Sequence, residues 1–201
     1  MIFNKHSVTF DEIAYDPKVL YDKFLPMFHT KKVLATSTLG KCEIVDVNSY
    51  EGKSLKTYPE VKALSKYFPI LEEENKVAVE MARIFFHDPG MGIPPHIDEQ
   101  SNCAILMPIT WPTDPVLYFH GKGKDLRRGN WWQPEEFTLD DLDWIHQYTY
   151  GHPSLINSSI PHYLKNTNPD TSRAILRFRI SVYTYDQCLE MCKNGTFLNL
   201  D

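Results

Sequence analysis

The stretch "HDPGMGIPPHIDEQ", His87 to Gln100, decides how this chain is read. It runs from a turn-forming Pro89-Gly90 through Gly92 and a stiff Pro94-Pro95 into His96-Ile97-Asp98. Glycine supplies the backbone freedom a tight turn needs, and paired prolines restrict the approach to the segment that follows. In an extended strand, residues i and i+2 point to the same face. His96 and Asp98 are therefore expected to project together, with Ile97 turned the other way into packing.

An imidazole and a carboxylate so placed supply two of the three ligands on one side of a metal ion. Two histidines and one carboxylate, with the remaining positions open, is the arrangement that holds non-haem Fe(II). The motif alone carries little weight. With 8 His and 14 Asp in 201 residues, chance gives about half of one His-x-Asp match, the background against which a motif must be judged. One match is present, and on the motif alone a hydrogen-bonded surface pair is the better explanation.

The rest of the chain changes the balance. Sixty-four residues after Asp98 comes "NSSIPHYLKNTNPDTSRAILRFRI", with His162 in a short strand-like segment before the polar turn "NTNPDTS". A strand then opens with Arg173, eleven residues after His162. Alternation along it puts Arg173, Ile175, Arg177, Arg179 and Ser181 on one face and Ala174, Leu176, Phe178 and Ile180 on the other. Three arginines on one strand face predict that at least one meets an anion or a buried carboxylate.

Around these motifs the texture is that of a β-rich protein. "KVAVEMARIFFH", "NCAILMPITW" and "PVLYFHGKGK" read as strands, and "GHPSLINSSIPHYLKN" as two short strands or a strand and a turn. "PEEFTLDDLDWIHQY" reads as a short helix or an irregular insert. In the first third, "DPKVLYDKFLPMF" (Asp16–Phe28) has a helical rhythm broken at Pro26, "KCEIVDVNSY" reads as a strand, and "YPEVKALSKYF" as a short helix opening at Pro59. Helices first and short strands later predict a β-sandwich or barrel core with helices packed outside.

The bulk numbers are compatible with that reading. The length suits a single domain over residues 1–201, and 42% hydrophobic with 23% charged residues is a globular balance. A net charge of −5 argues against a general nucleic-acid or anionic-membrane binder. No apolar run approaches the roughly 20 residues needed to span a bilayer. The opening "MIFNKHSVTFDEIAYD" has no signal-peptide pattern, so the expected compartment is the cytoplasm. Cys42, Cys103, Cys188 and Cys192 fit it as free thiols, and Cys188 and Cys192 would share one helix face.

The segments "PGMGIPPHID", "CAILMPI", "NSSIPHYLKN" and "SRAILRFRIS" together resemble the Fe(II)- and 2-oxoglutarate-dependent oxygenases, over about residues 80–185. By eye the aspartyl/asparaginyl β-hydroxylase-like branch is the most similar. That branch has a Pro-Gly-containing strand before the first histidine and a His…Asn…Arg run at the end. Some of its members lack the carboxylate ligand that Asp98 would supply here. The first 75 residues carry no such resemblance.

The resemblance implies a mainly β, α+β fold: a double-stranded β-helix (jelly-roll or cupin-like) core over about 76–185, N-terminal and peripheral helices, and a tail over 186–201. It implies Fe(II) on His96, Asp98 and His162, with 2-oxoglutarate and O2 as cosubstrates. It places the distal carboxylate of 2-oxoglutarate on Arg173, whose planar fork suits a carboxylate. Arg179 is a second cosubstrate or substrate contact, and the choice among Arg173, Arg177 and Arg179 stays open. The implied reaction hydroxylates a small-molecule or peptide substrate, such as a peptidyl Asp/Asn or an amino acid, and releases succinate and CO2.

Other residues have plainer readings. His87 is expected to be a structural or surface histidine. Asn102 and Cys103 read as a turn residue and a small buried thiol, and Asn166 as a turn former supporting the site. Phe119–Glu136, with Trp131 and Trp132, is either a lid near the site or an ordinary loop. Two competing functions use the same residues differently. A cupin-like metal enzyme would keep His96, Asp98 and His162 without 2-oxoglutarate, and a non-catalytic β-sandwich would bind no stoichiometric iron.

Overall fold

The computed structural model of the chain describes residues 1–29, 44–47, 49–50, 53–72, 82–90, 92–99, 101–120 and 137–200. The chain opens with strands β1 (Ile2–Phe3) and β2 (Ser7–Thr9) and helix α1 (Pro17–His29). Next come β3 (Ile44–Val47), β4 (Ser49–Tyr50), β5 (Lys53–Ser54) and helix α2 (Pro59–Ser65). The strands that follow are β6 (Ala82–His87), β7 (Gly92–His96), β8 (Cys103–Pro108), β9 (Val116–Phe119), β10 (Leu142–His146), β11 (Ser154–Asn157), β12 (His162–Lys165) and β13 (Arg173–Ile180). Helix α3 (Tyr185–Lys193) comes after them.

The strands form two larger antiparallel sheets. One has the order β1-β2-β11-β8-β13-β6-β3 and the other β10-β9-β12-β7, with β4 and β5 as a separate pair. The fold is thus mainly β with few helices, as the strand-rich sequence predicts. Strand β13 shows what divides the interior. Its residues Ala174, Leu176, Phe178 and Ile180 join a core with Leu20, Phe24, Val61, Leu64, Cys188 and Cys192, which come from the three helices. On the opposite face Ile175 packs with Ala104, Leu106 and Ile156 of its own sheet and Ile93, Val116, Tyr118 and Leu164 of the smaller one. The alternation read from "RAILRFRI" is the alternation observed.

Local signals explain the helix ends. Asp16 caps α1 by accepting the Lys18 N–H at 2.9 Å, and Pro17 opens the helix where its missing N–H costs nothing. Thr184 and Gln187 form a reciprocal capping box at the start of α3. Gly90 takes φ = +74° in the turn between β6 and β7, a conformation that favours glycine. Pro94 and Pro95 sit in β7, at the edge of the smaller sheet, where the β7–β12 ladder is interrupted by a register shift between His162 and Leu164.

Two expectations are corrected. Helix α1 does not stop at Pro26 but continues to His29. An interior proline costs the bond to the carbonyl four residues earlier and crowds that carbonyl, but here only one turn of helix follows it. The stretch read as a short helix or insert contains a 3-10 turn at Leu139–Asp141 and then strand β10. Pairing with β9 prevailed over the local acidic, helix-like pattern. Residues 121–136, including Trp131 and Trp132, lie outside the described residues, as do Cys42 and residues 76–81. Cys103, Cys188 and Cys192 are buried thiols, the last two on the inner face of α3.

Candidate metal centre and the cleft behind it

His96 is the last residue of β7 and His162 the first of β12, and the two are direct partners in the antiparallel ladder. Their rings lie 4.3 Å apart, centroid to centroid. Asp98 lies two residues beyond the end of β7, held by its backbone N–H, which donates to the Ser158 carbonyl at 3.1 Å. The strand ends before Asp98, yet the side chain still reaches the face of His96. Asp98 Oδ1 is 3.3 Å from His96 Nε2, and the possible ligand atoms of His96, Asp98 and His162 all lie within 4.8 Å of one another. Among the described residues this is the group of three that could hold a metal ion.

The donor chemistry fits that use. His96 Nδ1 is 2.8 Å from the Pro94 carbonyl, and His162 Nδ1 is 2.9 Å from the Ile160 carbonyl. A carbonyl only accepts, so in both rings Nδ1 carries the proton and Nε2 presents its lone pair inward. Two donors at right angles on an ion with bonds of about 2.1 Å would stand about 3 Å apart, close to the spacing between His96 Nε2 and Asp98 Oδ1. Burial, with the neighbouring His96, pushes His162 down to about 3, so its imidazole is neutral at physiological pH. Burial alone would raise the Asp98 carboxyl, but the Arg177 guanidinium and the two histidines hold it well below the usual carboxylate range. Arg177 Nη2 donates to Asp98 Oδ2 at 2.5 Å, leaving Oδ1 toward the histidines. The expectation that one arginine of β13 meets a buried carboxylate is thereby met, by Arg177.

Arg173 lies at the other end of the same strand face, and only 2% of it is exposed. Its Nε donates to Thr113 Oγ1 at 2.9 Å, and its Nη2 to the Asp114 carbonyl at 3.1 Å and to the Tyr148 hydroxyl at 3.5 Å. The guanidinium also stands 5.8 Å from the centre of the Tyr148 ring. These three acceptors are neutral groups. Arg179 is half-buried and further along the strand, in register with Ala104.

Several supporting residues have their places. Asn166 Nδ2 donates to the carbonyls of His87, Asp88 and Thr171, clamping the end of β6 to the turn before β13. Asn102 Nδ2 donates to the carbonyls of Ser181 and Tyr183, so it secures the chain after β13 and makes no part of the cluster. His87, expected to be structural or on the surface, is 2% exposed, and neither ring nitrogen has a hydrogen-bond partner. It is neither a surface residue nor a satisfied core histidine.

Reading the sequence missed the wall opposite β13. Tyr118, Trp144, His146 and Tyr148 all reach the region between the sheets, where Trp144 Nε1 and His146 Nε2 are buried without a hydrogen-bond partner. The signal was present in "LDWIHQY": as a strand, it puts Trp144, His146 and Tyr148 at i, i+2 and i+4 on one face.

No protein-family model and no curated protein sequence matches the chain. Partial likeness exists to an oxidoreductase of the 2OG-Fe(II) oxygenase family from Burkholderia pseudomallei, with 12% identity over 51% of this chain and 42% of that one; its TM-score of 0.34 is too low to support an argument. The fold as a whole is similar to the crystal structure of a Pseudomonas putida prolyl-4-hydroxylase, with a TM-score of 0.52 and 10% identity over 87% of this chain and 93% of that one.

Proposed function

We propose that this chain is an Fe(II)- and 2-oxoglutarate-dependent oxygenase on a double-stranded β-helix core, hydroxylating a small-molecule or peptide substrate. One observation carries the reading. A two-histidine, one-carboxylate cluster and a buried arginine lie along one face of strand β13, the cluster beside Arg177 and the guanidinium of Arg173 at the start of the strand. Arg173 and Arg177 are four residues apart on β13, a span of about 13 Å at the usual strand rise. A five-carbon dicarboxylate held at the cluster would extend along this face toward the guanidinium of Arg173. Fold likeness to a protein named a prolyl-4-hydroxylase supports the same reading.

Each residue then has a task. His96 and His162 would hold the iron through Nε2 and Asp98 through Oδ1, while Arg177 fixes the free carboxylate oxygen. Bound there, iron and 2-oxoglutarate together supply the oxidising power of O2 to a substrate C–H bond, with succinate and CO2 released. Arg173 would grip the distal carboxylate of 2-oxoglutarate. Thr113, Asp114 and Tyr148 fix the guanidinium in advance, so little rotamer freedom is lost on binding. Ile93, Val116, Leu164 and Ile175 line the space between the sheets with apolar surface and limit water in it. Arg179 lies beyond Arg177, on the side away from Arg173, which suits a contact with substrate better than one with the same distal carboxylate.

An anaerobic difference spectrum tests the proposal. Fe(II) is added to the protein and then 2-oxoglutarate, with Asp98→Ala alongside. A weak visible charge-transfer band in the wild type, lost in the variant, is the expected result. Folded, iron-loaded protein with no band would transfer the cluster to a metal enzyme that does not use 2-oxoglutarate. Failure to bind iron would leave a non-catalytic β-sandwich.

A further inference from the structure

One buried residue that the mechanism above leaves unused is His87. It is 2% exposed, at the end of β6, and both Nδ1 and Nε2 are buried without a hydrogen-bond partner. An unpaired polar group in such a place is costly, so native proteins rarely keep one without a use. Its position is fixed from two sides. His87 is the ladder partner of Arg173, which puts their Cβ atoms roughly 5 Å apart on one sheet face. Asn166 clamps the His87 carbonyl from the far side. The face it uses is set by alternation: Ala82, Ile84 and Phe86 enter the helix-side core, whereas Phe85 packs into the inter-sheet cluster. His87 therefore shares the cleft face with Arg173.

The electrostatic surroundings agree with that placement. Burial, then the charge of Arg173, then His96, push His87 down to about 3. The ring is neutral at physiological pH, with one N–H to donate and one lone pair. A permanently charged fork beside a neutral imidazole donor suits a carboxylate: the fork supplies charge, and the ring satisfies an oxygen that the fork does not reach.

We propose that His87 is a second donor to the distal carboxylate of the 2-oxo dicarboxylate, acting with Arg173 to select five-carbon dicarboxylates over 2-oxo acids that lack the distal group. The inference rests on the 2-oxoglutarate reading given above and names a residue that recognises the cosubstrate.

The experiment titrates the anaerobic Fe(II) protein with 2-oxoglutarate and with 2-oxopentanoate, which has the same chelating head and no distal carboxylate. Binding is followed by the visible band and by calorimetry. His87→Leu removes both ring nitrogens at similar size, and His87→Gln keeps a donor. In His87→Leu, 2-oxoglutarate is expected to bind about tenfold more weakly or worse, the scale of a lost hydrogen bond to a charged group. 2-Oxopentanoate is expected to change less than twofold, and His87→Gln to recover most of the loss. Melting temperatures with and without Fe(II) establish that both variants are folded and iron-loaded. Equal weakening of both ligands would overturn the proposal in favour of a general structural role. Unchanged 2-oxoglutarate affinity in His87→Leu would overturn it too, leaving water as the partner of the ring. If wild type itself does not respond to 2-oxoglutarate, the proposed function falls and takes this inference with it. A normal wild-type response beside an unaffected His87→Leu sinks the inference alone.

Discussion

The two faces of strand β13 do opposite work with the same backbone. On one, Ala174, Leu176, Phe178 and Ile180 are buried among helix residues with no polar atom to satisfy. On the other, Arg173, Arg177 and Arg179 alternate with Ile175 on a face that also meets buried histidines, a carboxylate and several polar atoms without partners. The first face stabilises the fold through area removed from water. The second gives up some of that stabilisation to keep polar groups fixed and dry, which is worthwhile only where a ligand completes them. The difference separates what keeps this chain folded from what it is folded for.

Each side of that comparison can be broken separately. The largest effect is expected in the cluster. Asp98→Ala or His162→Ala should abolish turnover and remove the Fe(II)-dependent rise in melting temperature, with the apo protein still folded; a preserved metal-dependent rise would show that these residues are not ligands. On the opposite face, Phe178→Ala should cost about 3–5 kcal/mol in denaturant unfolding, the usual range for an aromatic removed from a core. Iron binding by the fraction that stays folded should be unchanged.

The pH dependence should come from the cleft face. Burial pushes His146 down to about 4, against about 6.5 in an unfolded chain. Above about pH 6.5 the ring is neutral in both states and adds no pH dependence. As the pH falls from about 6.5 to about 4, the unfolded chain takes up a proton that the folded chain refuses, so stability is lost across that window. The full loss is on the order of 3 kcal/mol for this residue. Apo-protein unfolding curves between pH 7 and pH 4 should show the decline, and His146→Gln should remove only its own share, with His87 and His162, both pushed down to about 3, supplying the rest.

Smaller effects refine the contrast. Arg173→Ala should raise the 2-oxoglutarate requirement about thirtyfold or more, the lower end of the cost of removing one partner from a buried charge pair, measurable by steady-state kinetics. Unaltered cosubstrate dependence would move the anchor to Arg177 or Arg179. Thr184→Ala in the capping box of α3 should cost only about 1 kcal/mol, seen as a small shift in the denaturation midpoint and no change at the cluster.

Much of the site was legible because it depends on short-range order. "HID" puts two candidate donors within two residues, and the arginines of "RAILRFRI" share a face by strand geometry alone. The corrections fall where long-range pairing overrides local preference. "LDWIHQY" looks helical or irregular by itself, yet it becomes a strand because β9 is available to pair with it. His87 looks ordinary beside Asp88 and Pro89. Only the Arg173–His87 register reveals a buried ring with nothing to bond to.

By itself, then, the sequence determined which residues share a face of β13, where helix α2 begins, and that His96, Asp98, His162 and Arg173 arrive in an order suited to a metal and a dicarboxylate, whereas the segment read as a tail over 186–201 is largely helix α3. Tertiary structure decided which arginine meets Asp98, that His96 and His162 become ladder partners across 66 residues of chain, and that His87 lies beside Arg173. The physical reason is that side-chain direction follows from a local two-residue period. Partnership follows from strand register, which is set by the packing of two whole sheets.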